Sequence, residues 1–336
     1  MSNLPDGTRY LGPATTVPTL HPLDPATRAE LAALGARLTA DPVTDPDTFG
    51  RQARLLAREL PTAVLQALWS FEEHGSDTGV LVLRGLDVGD LPPTPGDNTG
   101  GTGGRTLLAR QQAVLSHALG SMVGYAAEGH GHLLQDMVPN RRLAATQQSQ
   151  GSRVELEAHT EQCFSDLRPD YVVLGCLRGD DDAATYAFRA LDVAAHVGPE
   201  DLLELCRPLW TTLVDESFAD YLDTREVRGP FPILSGDPDD PTLLIDQDLM
   251  HGITRHAQEL LERVLSTYVA HRHAVVLQAG DVLFLDNLRA MHGRSPFAPR
   301  FDGTDRFITR GFVVRDLRRS RSARPGNHRV VQASFS

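Results

Sequence analysis

Residues 280–316 read GDVLFLDNLRAMHGRSPFAPRFDGTDRFITRGFVVRD and contain two apolar runs, a histidine between them and several arginines. The runs are short, rich in β-branched and aromatic residues, and flanked by glycine, asparagine or aspartate. This composition is typical of buried strands. Similar runs occur upstream in DYVVLGCLRG (170–179), PTLLIDQDL (241–249) and HAVVLQ (273–278). From about residue 130 the sequence therefore predicts many short strands separated by turns.

The N-terminal part has a helical pattern instead. DPATRAELAALGARL (24–38) begins with a capping aspartate and a proline in the first turn, then repeats apolar residues at helical spacing. DTFGRQARLLARELPTAVLQALWSFEEHG (47–75) continues in the same way, and GVLVLRGLDVG (79–89) then predicts a buried strand. Residues 92–105, PPTPGDNTGGTGGR, predict a flexible surface loop, because proline and glycine dominate and nothing apolar can be buried there.

These patterns predict one α+β domain over residues 1–336. Residues 1–75 form its helical N-terminal part. Residues 130–316 form a double-stranded β-helix core, which is a jelly-roll or cupin-like barrel. Many short strands with inward polar ligands are typical of this barrel, and mainly N-terminal helices flank it. The turn-rich residues 221–240 predict a lid.

The bulk composition limits the function classes. With 336 residues, 41% of them hydrophobic, the chain can bury a sizeable core. The formal net charge is −12, and the basic cluster RDLRRSRSAR (315–324) favours a solvated segment over nucleic-acid binding. Three cysteines, no signal pattern and no membrane-length apolar run indicate a soluble cytoplasmic protein that binds no membrane. Its oligomeric state stays open.

The histidines offer a candidate metal site. His159 and Glu161 are two residues apart, so on a strand both side chains would project to the same face. His292 lies 133 residues downstream and could complete the set of two imidazoles and one carboxylate that binds Fe(II) in non-heme oxygenases. Such a site leaves positions free for a chelating cosubstrate and for dioxygen. A His-x-Glu pair is common by chance, and the same ligands would also serve a zinc hydrolase.

Two arginines follow this histidine. Arg306 lies 14 residues after His292, and Arg310 four residues later. The even spacing places both side chains on the same face of a strand. The far carboxylate of a 2-oxoglutarate cosubstrate needs a fixed cationic fork, and a guanidinium supplies a planar, bidentate one.

The chain resembles the clavaminate synthase-like branch of Fe(II)/2-oxoglutarate dioxygenases, and within it the arginine-type hydroxylases of free amino acids in antibiotic pathways. The resemblance covers roughly residues 75–320 and rests on GVLVLRGL, on HTEQCFSDLRPDYVVLGCLRGD (159–180) and on residues 280–316, in that order. It implies Fe(2+) bound by His159, Glu161 and His292, with 2-oxoglutarate and O2 as cosubstrates. Arg306 and Thr185 would hold the distal carboxylate of 2-oxoglutarate.

The resemblance also implies a reaction type. Related halogenases have a small residue where this chain has Glu161, so the carboxylate favours hydroxylation. Glu161 could receive the α-amino group of the substrate as well. Arg310 would bind the substrate α-carboxylate, and Gln135 and Ser149 match positions that contact the amino acid.

The pair Asp246 and Asp248 bears on the rest of the substrate. The D-x-D spacing allows both carboxylates to converge on one guanidinium, although the acidic stretch around them is also compatible with a solvated turn. The sequence thus favours a free guanidino amino acid, L-arginine or a cyclic derivative such as enduracididine or capreomycidine, hydroxylated at C3. Oxidation at C4, desaturation, and lysine, asparagine, glutamine or citrulline as substrate stay open. Outside this class, a non-catalytic cupin-like binding protein remains the alternative.

Overall fold

The computed structural model describes residues 19–215, 218–219 and 221–333. Its helices are α1 Pro25–Arg37, α2 Pro46–Leu56, α3 Thr62–His74, α4 Leu107–Ser116, α5 Ala190–His196, α6 Pro199–Leu205 and α7 Arg255–His271. Its strands are β1 Leu20–Pro22, β2 Val80–Arg84, β3 Ser121–Tyr125, β4 Leu134–Met137, β5 Leu156–His159, β6 Tyr171–Arg178, β7 Ala184–Arg189, β8 Trp210–Thr212, β9 Arg228–Phe231, β10 Leu234–Asp237, β11 Asp240–Leu243, β12 Met250–Gly252, β13 His273–Val276, β14 Val282–Asp286, β15 Ala290–Arg294, β16 Phe307–Val314 and β17 Val330–Val331.

Two sheets form the core. The major sheet has the order β1-β2-β14-β6-β16-β3-β17, with β4 also paired to β16. The minor sheet has the order β13-β7-β15-β5. Apolar side chains of both sheets share one buried cluster, which includes Leu285 and Ile308 from the major sheet and Ala187 from the minor one. The architecture is therefore the double-stranded β-helix of the α+β class that the sequence predicts.

Helices cover the outer faces of both sheets. Leu31, Phe49 and Phe71 of the N-terminal helices pack with Leu83 and Phe284 of the major sheet. Helix α7 packs Leu260 and Tyr268 in a cluster with Phe188 and Met291 of the minor sheet. Each helix contributes one apolar stripe to a sheet face, as the helical spacing of these residues requires. No helix in the described part of the chain is long and apolar enough to cross a membrane.

The predicted boundaries need correction at two places. Strands β2 and β3 belong to the major sheet although they precede residue 130, because β2 pairs with β14 and β3 with β16. The C-terminal β17 adds to the same sheet by pairing with β3. Long-range strand pairing thus extends the core beyond 130–316. The helical prediction for residues 1–75 is met by α1 to α3, and residues 1–18 lie outside the described residues.

The loop over residues 92–105 contains a single 3-10 turn, Gly103–Arg105, and is attached near both ends. Thr94 donates its hydroxyl to the Asp305 carbonyl at 2.6 Å. The carboxylate of Asp136 accepts the backbone N–H groups of Thr102 at 2.7 Å and Gly103 at 2.9 Å. Between these attachments the loop contributes Asn98 to the wall of the central cavity. It therefore lies beside the site, which its composition did not reveal.

Candidate active site

The three predicted metal ligands meet because β5 and β15 are paired. His159, the last residue of β5, lies opposite His292 in the ladder, and their ring centroids are 4.3 Å apart. His292 Nε2 is 3.8 Å from Glu161 Oε2, and ligand atoms of all three residues lie within 4.8 Å of one another. Within the described residues this is the one group of His, Cys, Asp and Glu side chains with such geometry. Antiparallel pairing thus closes a gap of 133 residues.

Glu161 reaches the cluster from a turn, since β5 ends at His159. The expectation that both residues share one strand is therefore wrong, although both face the cavity. Asn287 holds the turn: its Oδ1 accepts the Glu161 N–H at 2.7 Å, and its Nδ2 donates to the carbonyls of Glu161 at 3.1 Å and Pro169 at 2.9 Å. Asn287 is fully buried. Sequence reasoning missed it, although it stands inside the quoted stretch at the end of an apolar run.

Both imidazoles suit a metal ion in their neutral form. His159 Nδ1 lies 2.8 Å from the Glu157 carbonyl, so this nitrogen carries the proton and Nε2 keeps its lone pair. Burial, helped by the positive charge of Arg310, holds the pKa of His292 well below its usual range. Two neutral nitrogens and one carboxylate on one side of a cavity are the donor set of a non-heme iron site. The residues present therefore fit Fe(II).

Arg306 provides a built anion site. Its side chain is buried at 7% exposure, and burial lowers its pKa. No carboxylate of the described residues lies within ion-pair distance of this guanidinium; the nearest aromatic ring, that of Phe297, has its centroid 5.8 Å from Cζ. A buried cation without a counter-ion is costly, and a bound carboxylate removes that cost. Thr185, also buried, lines the cavity beside it, and the pair fits the distal carboxylate of 2-oxoglutarate.

Arg310, unlike Arg306, has carboxylate partners. Its Nη1 donates to Glu161 Oε1 at 3.0 Å, its Nη2 contacts the Glu128 carboxylate, and Gln135 Oε1 accepts from Nη2 at 2.6 Å. Gln135 lies opposite Arg310 in the β4–β16 ladder and is outside the cavity wall as described. In this structure the amide of Gln135 orients Arg310, and the prediction that Gln135 contacts the amino acid stays a prediction.

Glu128 contacts the same guanidinium group from the cavity side. It lines the cavity, accepts a hydrogen bond from Gln162 Nε2 at 2.9 Å, and has a pKa that burial raises above its usual range. Sequence reasoning missed it because it lies in a turn after β3, where no local pattern marks it. Only the pairing of β3 and β4 with β16 brings this turn next to Arg310.

The opposite end of the cavity is acidic. Asp246 forms an isolated β-bridge with His159, and its Oδ1 accepts the N–H groups of Asp248 at 3.0 Å and Leu249 at 2.9 Å. Asp248 lies exposed in that turn, so the same-face argument for a strand is wrong, yet both side chains line the cavity. Glu157 joins them: after burial, the charges of Asp248 and Asp246 raise its pKa. Its alternation with His159 and Glu161 could have identified it.

The cavity that these residues enclose has a volume of about 390 Å³, within the range of small-molecule sites. Six carboxylates and three guanidinium groups line it: Glu128, Glu157, Glu161, Asp215, Asp246, Asp248, Arg294, Arg306 and Arg310. Ser149 also lines it, and its contact with the amino acid stays a prediction. Of the predicted lid over 221–240, only Tyr221 reaches the wall in the described structure, together with the upstream Phe218; the lid stays a prediction.

Comparison with known proteins agrees with this geometry. The family model for the taurine catabolism dioxygenase TauD, TfdA family, matches residues 227–312. The chain is 48% identical over 303 residues to the L-lysine 3-hydroxylase of Catenulispora acidiphila, covering 89% of this chain and 85% of that protein. It is 32% identical over 294 residues to clavaminate synthase 2 of Streptomyces clavuligerus, covering 86% and 90%. The chain belongs to the clavaminate synthase-like Fe(II)/2-oxoglutarate dioxygenases.

Solved structures support the same family. Asparagine oxygenase in complex with Fe(II), 2S,3S-3-hydroxyasparagine and succinate has a TM-score of 0.86 and 30% identity, and the match covers 94% of this chain and 99% of that one. This protein is thus an Fe(II)/2-oxoglutarate-dependent amino acid hydroxylase. When bound, iron, 2-oxoglutarate and O2 supply the oxidising power that an unactivated C–H bond requires. The protein's own residues bind, orient and shield the reactants.

Proposed function

We propose that this dioxygenase hydroxylates free L-lysine at C3. The observation that carries the proposal is the acidic end of the cavity, where no described arginine forms an ion pair with Glu157, Asp246 or Asp248 and only the imidazole of His159 acts on Asp246. An ε-ammonium has three N–H donors that point in different directions, so three surrounding carboxylates suit it. The 48% identity to an L-lysine 3-hydroxylase supports lysine over the arginine-type substrate that the sequence favoured.

The other end of the cavity suits the α-carbon groups. We assign the substrate α-carboxylate to Arg310 and the α-ammonium to Glu128, whose carboxylate contacts the same guanidinium. This placement requires the ion pair between Arg310 and Glu128 to open. The substrate α-carboxylate then replaces Glu128 as the partner of Arg310, and the α-ammonium replaces Arg310 as the partner of Glu128. The charges on the protein are then matched in both states, which limits the desolvation cost of binding.

This placement accounts for C3. Arg310 lies 3.0 Å from an oxygen of Glu161, which we assign as an iron ligand with His159 and His292. An amino acid held by its carboxylate on Arg310 therefore has its first side-chain carbons beside the iron site, while the acidic end holds the chain extended. Hydroxylation at C3 is also the reaction of the similar lysine 3-hydroxylase, and the asparagine oxygenase structure contains an amino acid hydroxylated at C3. C4 lies one carbon further along the same chain.

We also assign the distal carboxylate of 2-oxoglutarate to Arg306 and Thr185. Arg306 is a buried cation without a carboxylate partner among the described residues, and Thr185 of β7 offers a hydroxyl to the same cavity. This leaves Arg310 for the amino acid, so the two arginines, four residues apart on or just before β16, hold two different carboxylates. Ser149 remains a candidate contact on the wall nearest the amino acid.

The test is a substrate panel. The purified protein is incubated with Fe(II), 2-oxoglutarate and O2, and with L-lysine, L-ornithine, L-arginine, L-asparagine or L-norleucine, and succinate and product mass are measured. L-lysine should give the highest kcat/KM and a product heavier by one oxygen, with NMR placing the hydroxyl group on C3. Norleucine, which lacks the ε-ammonium, should be a poor substrate. If L-arginine exceeds L-lysine, or the product is an alkene, the substrate or the reaction is assigned wrongly.

A further inference from the structure

Arg294, the last residue of β15, has a role that the substrate assignments do not use. It is buried at 5% exposure, and its guanidinium donates to three backbone carbonyls. The acceptors are Ser149 at 3.1 Å from Nη1, Gly151 at 2.6 Å from Nη2 and Ser295 at 3.2 Å from Nε. Two of these carbonyls belong to the loop between β4 and β5, residues 138–155, here called the β4–β5 loop.

The β4–β5 loop forms part of the cavity wall. It contains neither a helix nor a strand, and its residues 147–150 line the cavity. Its internal hydrogen bonds join turns to one another, for example Asn140 N–H to the Gln150 carbonyl at 3.1 Å. Arg294 attaches it to the minor sheet, and the Phe297 N–H adds a bond to the Ser152 carbonyl at 2.7 Å. The position of the wall therefore depends on a guanidinium fixed in β15.

Arg294 and Arg306 also lie near the same aromatic ring. Its Cζ is 5.2 Å from the centroid of the Phe297 ring, and the Cζ of Arg306 is 5.8 Å from the same centroid. No described carboxylate forms an ion pair with either guanidinium, and after burial the positive charge of Arg306 lowers the pKa of Arg294. Like charges in a poorly solvated region destabilise each other, and an anion on one relieves the other.

We propose that Arg294 is a positioning residue that transmits occupancy of the Arg306 anion site to the β4–β5 loop. A dicarboxylate on Arg306 neutralises its charge, and the charge-assisted hydrogen bonds from Arg294 to Ser149 and Gly151 become stronger. The loop is then held more firmly against the amino acid end of the cavity. Cosubstrate and amino acid binding are thereby coupled, with each favouring the other. This inference rests on the proposed assignment of 2-oxoglutarate to Arg306, and it does not depend on which amino acid is oxidised.

The test is hydrogen exchange of the full chain with Fe(II) under argon, with and without 2-oxoglutarate and without any amino acid. In the wild type, 2-oxoglutarate should slow exchange of the amides in 138–155 by roughly fivefold or more, the lower end of typical coupling. Arg294→Met should exchange faster there and should not respond to 2-oxoglutarate. Arg294→Lys keeps the charge without the planar fork, so it should respond partially. The same slowing in Arg294→Met as in the wild type, or no slowing in the wild type, overturns the proposal.

Two further variants separate this role from general destabilisation. Arg84→Met removes an arginine whose printed partners, Asp281 and the Val276 carbonyl, lie outside the β4–β5 loop, and should leave the response intact. Arg306→Met removes the repelling charge, so the β4–β5 loop should be protected without 2-oxoglutarate and should respond no further. Unchanged or faster exchange in Arg306→Met overturns the inference even if Arg294→Met does not fold. Wild-type affinity of Arg306→Met for 2-oxoglutarate would show instead that the cosubstrate assignment, and the inference with it, is wrong.

Discussion

The acidic end of the cavity predicts a graded loss of lysine selectivity when its carboxylates are neutralised one at a time. Asp246→Asn is the informative change, because Asn keeps the oxygen that accepts the N–H groups of Asp248 and Leu249 and so preserves the turn. Only the charge is lost. The raised pKa of Asp246, caused first by burial, indicates that water screens this carboxylate poorly.

The magnitudes follow from this shielding. Removing one partner of a shielded charge pair costs about 2–5 kcal/mol; a loss of about 3 kcal/mol corresponds to a decrease of roughly 150-fold in kcat/KM for lysine. Asp248 is exposed, so Asp248→Asn should cost at most about 1 kcal/mol, or roughly fivefold. Glu157→Gln, whose carboxylate is partly exposed, should fall between the two.

The assay compares L-lysine with L-norleucine at saturating 2-oxoglutarate by following succinate formation. Norleucine has the same chain length and no side-chain charge. Asp246→Asn should therefore reduce the lysine-to-norleucine ratio of kcat/KM by roughly 150-fold, worked from the same ion-pair cost, while the KM for 2-oxoglutarate stays unchanged. Equal losses for Asp246→Asn and Asp248→Asn, or an equal loss for both substrates, would refute the reasoning, since the effect would then come from altered packing and not from charge.

Three further predictions concern other parts of the fold. Arg306→Met should raise the KM for 2-oxoglutarate by at least roughly 30-fold, the cost of about 2 kcal/mol for a lost buried charge partner, whereas KM for the amino acid should change less. Asn287→Ala leaves the N–H and carbonyl of Glu161 without this partner, so unfolding in urea should show a loss of about 3 kcal/mol and iron titration a weaker site; unchanged iron affinity would contradict its role. Burial, with the charge of Arg329, lowers the pKa of His117 to about 3. Below pH 6.5 this histidine is therefore protonated in the unfolded state and stays neutral in the folded state. The free energy of unfolding should therefore decrease by about 2 kcal/mol as the pH is lowered from 6.5 to 5. His117→Gln should lose less stability over this interval when urea unfolding is measured at both pH values.

Much of the iron site could be predicted from the chain. The two-residue spacing of His159 and Glu161 is local, and so is the four-residue spacing of Arg306 and Arg310. The prediction of short buried strands around them is also local, because apolar runs bounded by turn residues have few other stable arrangements. His292 was the long-range part, and the strand ladder of β5 and β15 explains why it meets the other two.

The substrate end was predicted less well. Asp246 and Asp248 were chosen for the spacing of a strand, but Asp246 uses its carboxylate to close a turn. The sequence predicts that Gln135 contacts the amino acid. In the structure its amide accepts a hydrogen bond from Arg310, and Glu128 lines the cavity. In both cases a side chain's own hydrogen bonds decide where it points, and a one-dimensional pattern does not contain them.

By itself, the order of residues predicted the fold class, the pair His159 and Glu161 and the even spacing of Arg306 and Arg310, because strand periodicity and turn chemistry act over a few neighbouring residues. Tertiary structure alone decided that Glu128 and Gln135 meet at Arg310, that Asn287 fixes the Glu161 turn, and that Arg294 joins the β4–β5 loop to β15. These contacts join residues more than a hundred positions apart in the chain. Their geometry depends on strand register and on the requirement that buried polar groups find hydrogen-bond partners.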